Sequence, residues 1–240
     1  MPLFLRSGLV AERFGFYEKG VKATTNLASS RTADGTVLLL QEHDGQFFLK
    51  VGGVPLMSTT QSSSEQTMAE LACGEMAAGG RVLIGGLGFG FTLRRVLELV
   101  GAQAEVVVAE LLPIIAEWNR EFLQSINGEL LDDARVTVAI RDVFELIAAE
   151  KKGYEAILLD VDNSPDPLVD EGNGRLYQEN GLLLVKKALR PGGRVVYWSA
   201  NRDDRFARLL RNHFASVEVI PAKAYPKAKR FTHTLFVARK

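Results

Sequence analysis

Apolar residues recur along this chain in two rhythms. From residue 81 onward, short apolar runs of strand length alternate with longer stretches whose apolar positions return at helical spacing. The runs predict strands at 81–85, 105–110, 135–139, 155–160 and 193–199. The stretches predict helices at 91–100, 113–125, 143–151, 175–190 and 203–213. Pro113 suits a helix start, where its missing N–H costs nothing. Pro191-Gly192-Gly193 is expected to end a helix and turn into the next strand. Two last strands, 216–220 and 231–238, flank a loop rich in proline and lysine. Alternating strand and helix means a parallel sheet covered on both faces. The final two strands, joined without a helix, should pair antiparallel at its edge. The expected fold is therefore α/β and Rossmann-like, a mostly parallel seven-stranded sheet with an antiparallel edge strand.

Upstream the pattern is different. Residues 1–35 are weakly patterned; Phe4, Leu5, Leu9 and Val10 suit a strand or a docking arm, and the polar stretch 17–36 reads as loop. Strands are expected at 36–41, 46–51 and 54–59, with Asp44-Gly45 as a hairpin turn and Gly52-Gly53 as a second turn. Three short strands form a small antiparallel meander that needs something to pack against. Ser62, Ser63 or Ser64 can cap the next helix, 65–77, which has acids in its first turn and which Gly79-Gly80 should stop. The expected division is a small β-region, 1–62, and an α/β domain, 63–240. A homodimer packed through the meander is a further expectation.

Composition narrows the class. An apolar content of 47% and a charged content of 24% are ordinary for a globular protein. Lys+Arg and Asp+Glu are equal at 29 each, so the chain lacks the basic footprint of a nucleic-acid binder. Lys223, Lys227, Lys229 and Arg230 cluster locally and read as a solvated loop, since Tyr225 is the only aromatic among them. The single Cys73 excludes an intrachain disulfide and a cysteine zinc site. His43, His213 and His233 have no metal-ligand spacing, and no metal is expected. No apolar run reaches membrane-spanning length and no leader pattern opens the chain, so a cytoplasmic location without membrane partners is expected.

The chemistry centres on residues 81–110. The apolar run Val82–Ile84 is followed by Gly86, Gly88 and Gly90 at alternate positions, a helical stretch, the apolar run Val106–Ala109, and then Glu110. Glycines turn the backbone tightly and leave no side chain between it and a ligand. The helix start offers unpaired N–H groups. Glu110, twenty positions after Gly90, stands where the second strand ends and can accept both hydroxyls of a ribose. The dinucleotide pattern G-x-G-x-x-G fails in both registers, because Phe91 and Leu87 fall on glycine positions. That argues against a nicotinamide oxidoreductase. The pattern present, G-x-G-x-G, is that of proteins binding S-adenosylmethionine-type nucleosides, which carry no pyrophosphate.

In open α/β sheets ligands bind at the carboxyl ends of the strands. After the third strand stand Asp142 and Val143. Asp142 can accept from an adenine amino group while an apolar neighbour packs on the ring; it equally suits a helix N-cap. After the fourth strand, Asp160, Asp162, Asp166, Asp170 and Glu171 put five acids within twelve residues. Mutual repulsion is tolerated on a solvated loop, which suits Asp166, Asp170 and Glu171, or where a cation binds between them. Asp160 and Asp162, at the strand end facing the nucleoside site, suit the second role.

These residues resemble the spermidine synthase group within the class I methyltransferase fold. The resemblance runs over about residues 36–238. It rests on Gly85-Gly86-Leu87-Gly88-Phe89-Gly90-Phe91-Thr92-Leu93-Arg94, on Ser64-Glu65-Gln66-Thr67-Met68-Ala69-Glu70, on Arg175-Leu176-Tyr177 and on Pro191-Gly192-Gly193. It implies aminopropyl transfer from decarboxylated S-adenosylmethionine, as co-substrate, to a small amine acceptor such as putrescine. It implies Asp160 as the acid facing the attacking amine, with Glu65, Asp162 and Asn163 on the acceptor side. Gly86, Gly88, Gly90, Glu110, Asp142 and Val143 would bind the nucleoside. Two positions depart from the family: Phe89 stands where its glycine loop carries an acid for the donor's amine, and Asn163 where its second aspartate stands. Methyl transfer from intact S-adenosylmethionine and a non-catalytic nucleoside-binding or scaffold role are the competing readings.

Overall fold

A computed structural model describes residues 23–76, 79–160 and 171–240. The chain forms two compact units, Met1–Thr59 and Thr60–Lys240.

The first unit holds four antiparallel strands in sequence order: β1 (Thr25–Arg31), β2 (Val37–His43), β3 (Gln46–Val51) and β4 (Val54–Ser58). Asp44 and Gly45 both have positive φ, 51° and 73°, as a two-residue hairpin turn requires. Leu38 pairs with Val51 and Leu40 with Leu49 across β2 and β3, and these four are buried on one face. β1 lies where a loop was expected. Its sequence, TNLASSR, has no apolar alternation, and it joins the sheet as an edge through backbone pairing with β2. A polar edge strand of this kind discourages pairing with other chains.

The second unit is a seven-stranded sheet in the order β10-β11-β9-β8-β5-β6-β7. The strands are β5 (Arg81–Gly85), β6 (Glu105–Glu110), β7 (Val136–Ile140), β8 (Tyr154–Leu159), β9 (Leu189–Ser199), β10 (Ser216–Ala222) and β11 (His233–Arg239). β7, β6, β5, β8 and β9 pair parallel; β11 runs antiparallel between β9 and β10. The helices are α1 (Ser63–Cys73), α2 (Phe91–Leu99), α3 (Pro113–Glu121), α4 (Gln124–Asn127), α5 (Val143–Ala149), α6 (Glu179–Ala188) and α7 (Asp204–His213). Alternate residues of the central strands serve opposite faces. Leu83, Ile157, Leu159, Val195, Tyr197 and Phe236 join one cluster with side chains of α5, α6 and α7. The intervening Val82, Ile84, Leu158 and Val196 are fully buried as well. Burial on both faces is why these strands read as continuous apolar runs.

Helix boundaries are where the chain departs from its apolar rhythm. α1 ends at Cys73, where the Gly74 N–H closes the last turn on Glu70 O, before the expected stop at Gly79-Gly80. The stretch expected as one helix at 113–125 breaks after Glu121. The Leu123 N–H reaches back to Trp118 O at 3.2 Å, and Leu123 turns inward to 1% exposure before α4 begins. The expected helix 175–190 is a 3-10 helix, Glu171–Tyr177, followed by α6. Pro191-Gly192-Gly193 lies inside β9: pairing with β8 jumps from Tyr154↔Leu189 to Ala156↔Arg194, and the extra residues form an irregularity there. Cys73 is 1% exposed, and burial pushes its thiol up to about 12, so it is an un-ionised core residue at neutral pH. Among the described residues no helix is long and apolar enough to cross a membrane.

Candidate functional site

The sheet order contains a switch point. From β5 the chain moves outward to β6 and β7, then crosses back to β8 on the other side of β5. The crevice for a ligand lies at the carboxyl ends of strands flanking such a reversal. Here those ends carry, side by side, Asp142 after β7, Glu110 on β6, the glycine turn after β5 and Asp160 after β8. Four neighbouring strands at about 4.8 Å spacing span roughly 14 Å, which suits a nucleoside with a short tail.

The glycine turn is pinned along its length. The Gly86 N–H donates to Ala109 O at 2.8 Å, which ties it to β6, and the Gly90 N–H closes the turn on Leu87 O at 2.8 Å. Gly86, Gly88 and Gly90 have φ of 89°, 52° and 78°, in the left-handed region that side chains disfavour. A Cβ at Gly90 would also press on Asn127 Nδ2 and Leu130 Cδ2, each at 3.0 Å. Gly90 begins α2, and among the described residues no side chain caps that helix start. Phe89, within the turn, is 5% exposed.

Glu110 is held against this turn. It is 7% exposed; Oε2 accepts from the Leu87 N–H at 3.0 Å and Oε1 from the Leu112 N–H at 2.8 Å. Burial pushes its pKa up, and these backbone donors partly offset that. The carboxylate thus belongs to the turn. Leu111, next in sequence, is 41% exposed, and Ile140, at the end of β7, is 44% exposed. These are open apolar surfaces beside Glu110 and Asp142.

Asp142 is the N-cap of α5. Its Oδ1 accepts from the Phe144 N–H at 2.8 Å, and its Oδ2 meets Arg175 Nη2 at 2.5 Å. Arg175 also lies over the Phe144 ring, 4.5 Å from its centroid. Val143 is buried in the core cluster, so its side chain serves packing. Asp160 is partly buried, and its N–H donates to Gly85 O at 3.1 Å, which bridges β8 and β5 at the switch point. Glu65 lies in the first turn of α1; Ser64 Oγ donates to its Oε2 at 2.6 Å, and burial pushes its pKa up. Asp162 and Asn163 lie outside the described residues.

Arg175, which the sequence marks only as part of Arg175-Leu176-Tyr177, proves to be the partner of Asp142. Two further residues escape the sequence patterns. Asn119 and Asn127 sit behind the glycine turn, 3% and 6% exposed. Asn119 shares the buried side of α3 with Ile115, Ala116 and Trp118. A polar residue on an apolar helix face is the signal that could have marked it.

Comparison with known proteins places this arrangement. A family model described as "Spermine/spermidine synthase domain" matches residues 62–203. A polyamine aminopropyltransferase of Mycobacterium tuberculosis is 33% identical over 118 residues, 48% of this chain and 22% of that protein. A polyamine aminopropyltransferase of Aeropyrum pernix is 31% identical over 140 residues, 57% of this chain and 43% of that protein. The chain thus spans less than half the length of these curated relatives. Two solved structures share the fold: a spermidine synthase in complex with the transition state analogue AdoDATO, and the spermidine synthase of Thermotoga maritima. The first superimposes with a TM-score of 0.74 at 21% identity, over 90% of this chain and 73% of the other. The second does so with a TM-score of 0.72 at 18% identity, over 90% and 72%. With the family model matching more than half of its length, this chain belongs to the spermine/spermidine synthase domain family.

Proposed function

We propose that the protein is an aminopropyltransferase that moves the aminopropyl group of decarboxylated S-adenosylmethionine to an amine acceptor such as putrescine. The observation that carries this reading is the row of strand ends at the switch point, with Glu110, the glycine turn and Asp160 in adjacent places. Glu110 accepts the ribose hydroxyls. Asp142 faces the adenine, with Leu111 and Ile140 as apolar flanks. Asp160 orients the acceptor, and Glu65, Asp162 and Asn163 hold its far end.

The reaction needs no covalent intermediate, because a sulfonium is already a good leaving group. The acceptor nitrogen attacks the carbon bonded to sulfur. The new C–N bond forms as the C–S bond breaks, and the bonding pair stays on sulfur, which leaves neutral methylthioadenosine. An alkylammonium near its free pKa of about 10.4 has no lone pair, so the acceptor must be deprotonated. The Asp160 carboxylate serves as the base that takes this proton and passes it to solvent. Holding the reacting atoms at roughly 3–3.5 Å supplies much of the rate. Asp160→Asn should lower kcat at least a hundredfold, within the ~10²–10⁴ range of general-base effects, and leave methylthioadenosine binding unchanged. Mass spectrometry of methylthioadenosine and spermidine formation checks this; an active Asp160→Asn enzyme removes the assignment.

One observation favours a second reading. Phe89 is buried where the family carries an acid for the donor's amine. Methyl transfer from intact S-adenosylmethionine needs no acid there, and the comparison of donors distinguishes the two.

A further inference from the structure

We propose that Asn119 and Asn127 are positioning residues of the nucleoside site, and that their side-chain amides form a relay holding the glycine turn in its ligand-receiving shape. The proposal rests on the nucleoside-binding part of the proposed function.

Both side chains are buried, and both come from outside the turn. Asn119 Nδ2 donates to Gly88 O at 2.8 Å and to Ile115 O, in its own helix, at 2.8 Å. Asn127 Nδ2 donates to Phe89 O and, at 3.0 Å, to Asn119 Oδ1. Two successive turn carbonyls are therefore held by two amides that also bond each other. A trans peptide is planar, with its N–H opposite its C=O. Fixing Gly88 O toward α3 thus turns the Phe89 N–H away from α3.

The far side of the turn is held by Glu110, through the Leu87 N–H. The turn is clamped between a carboxylate that accepts in front and an amide pair that donates behind. Three glycines with left-handed φ have many alternatives open to them, so such a turn is not self-organising. Released from behind, it would sample other shapes. The Leu87 N–H and the Glu110 carboxylate would lose their register, and binding would have to restore it.

The orientation of Asn127 is fixed chemically. Its Nδ2 faces two oxygen acceptors, and a flipped amide would set oxygen against oxygen. Asn127→Asp keeps the shape and places a carboxylate there. Ionised, it repels Phe89 O and Asn119 Oδ1. Protonated, it donates one hydrogen bond and restores part of the relay. Burial beside carbonyl oxygens raises the pKa of such an acid.

The test is calorimetric binding of methylthioadenosine to the full chain, with melting temperatures measured alongside, between about pH 8 and about pH 5.5, where a raised carboxyl titrates. Asn127→Asp should bind at least about tenfold more weakly than wild type at the upper pH, the cost of roughly one buried hydrogen bond. The ratio of variant to wild-type dissociation constants should fall toward one as the pH drops. Asn127→Ala should be about tenfold weaker at every pH; it carries the test if the aspartate variant does not fold. Unchanged affinity in Asn127→Ala, with or without a lower melting temperature, overturns the proposal. So does an Asn127→Asp ratio that ignores pH. A wild-type chain that does not bind methylthioadenosine removes the function beneath the proposal, and the proposal with it.

Discussion

At the scale of single residues, several of the positions that a strand-by-strand reading singles out carry structural tasks of their own. The place of Glu110 was legible, because it is an acid that closes the second apolar run. What could not be read is that its two oxygens also accept from the Leu87 and Leu112 N–H groups. Truncation to alanine would therefore strip the turn of an acceptor as well as remove the proposed ribose partner. Glu110→Gln is the cleaner change. It removes the charge and keeps one acceptor, and hydrogen bonds to a charged group are worth about 1.5–3 kcal/mol. Methylthioadenosine affinity should fall roughly tenfold to a hundredfold. The pH dependence follows from the sign of the shift. Burial raises the Glu110 pKa, so native stability favours its protonated form, and this contribution is lost as pH rises through the folded-state pKa. Ribose hydroxyls prefer the ionised form. Wild-type affinity should therefore weaken as pH falls through that raised pKa, and Glu110→Gln should show no such limb. Calorimetry across acidic pH checks both; a pH-independent wild type contradicts the role. Asn127 was not legible because its partner in the turn is a backbone carbonyl distant in sequence, and Asn119 left only the mark of a polar residue on an apolar helix face.

At the scale of elements, the type and order of the buried strands were legible and the helix ends were not. Strands buried on both faces announce themselves as apolar runs, and β5 and β6 begin and end where those runs do. β1 escaped because its order comes from backbone pairing at an edge. The break between α3 and α4 escaped because Leu123 keeps the apolar rhythm while the backbone leaves the helix to bury it. The start of α5 shows a residue with two open readings. Asp142 caps the helix and pairs with Arg175, whatever it does for adenine. Losing an N-cap costs about 1 kcal/mol, which is about 2–4 °C of melting temperature for a chain this size. The Arg175 pair is half exposed on the arginine side and adds little after solvent screening. Asp142→Ala should lower the melting temperature by about that amount, whereas Asp142→Asn, which keeps the cap, should melt within about 1 °C of wild type. Equal destabilisation of the two variants would mean that the ion pair matters more than the cap.

At the scale of the whole molecule, the two ends of the seven-stranded sheet divide the work. At the amino ends of β5, β6 and β8, Arg81 bonds Glu105 at 2.8 Å and Glu150 at 3.0 Å and lies over the Tyr154 ring. That is a structural cluster. At the carboxyl ends, the chain crosses from β7 back to β8, and the glycine turn, Glu110 and Asp160 stand on neighbouring strands there. The proposed function has this switch point receive the nucleoside of decarboxylated S-adenosylmethionine. The most direct measurement is a thermal-shift comparison of S-adenosylmethionine, its decarboxylated form and methylthioadenosine. A ligand at about a hundred times its dissociation constant adds roughly 2.7 kcal/mol, which is about 5–10 °C at this chain length. A shift with all three is expected, and the largest with the decarboxylated donor. A larger shift with intact S-adenosylmethionine would contradict aminopropyl transfer in favour of methyl transfer, and no shift with any of the three would contradict the nucleoside site itself.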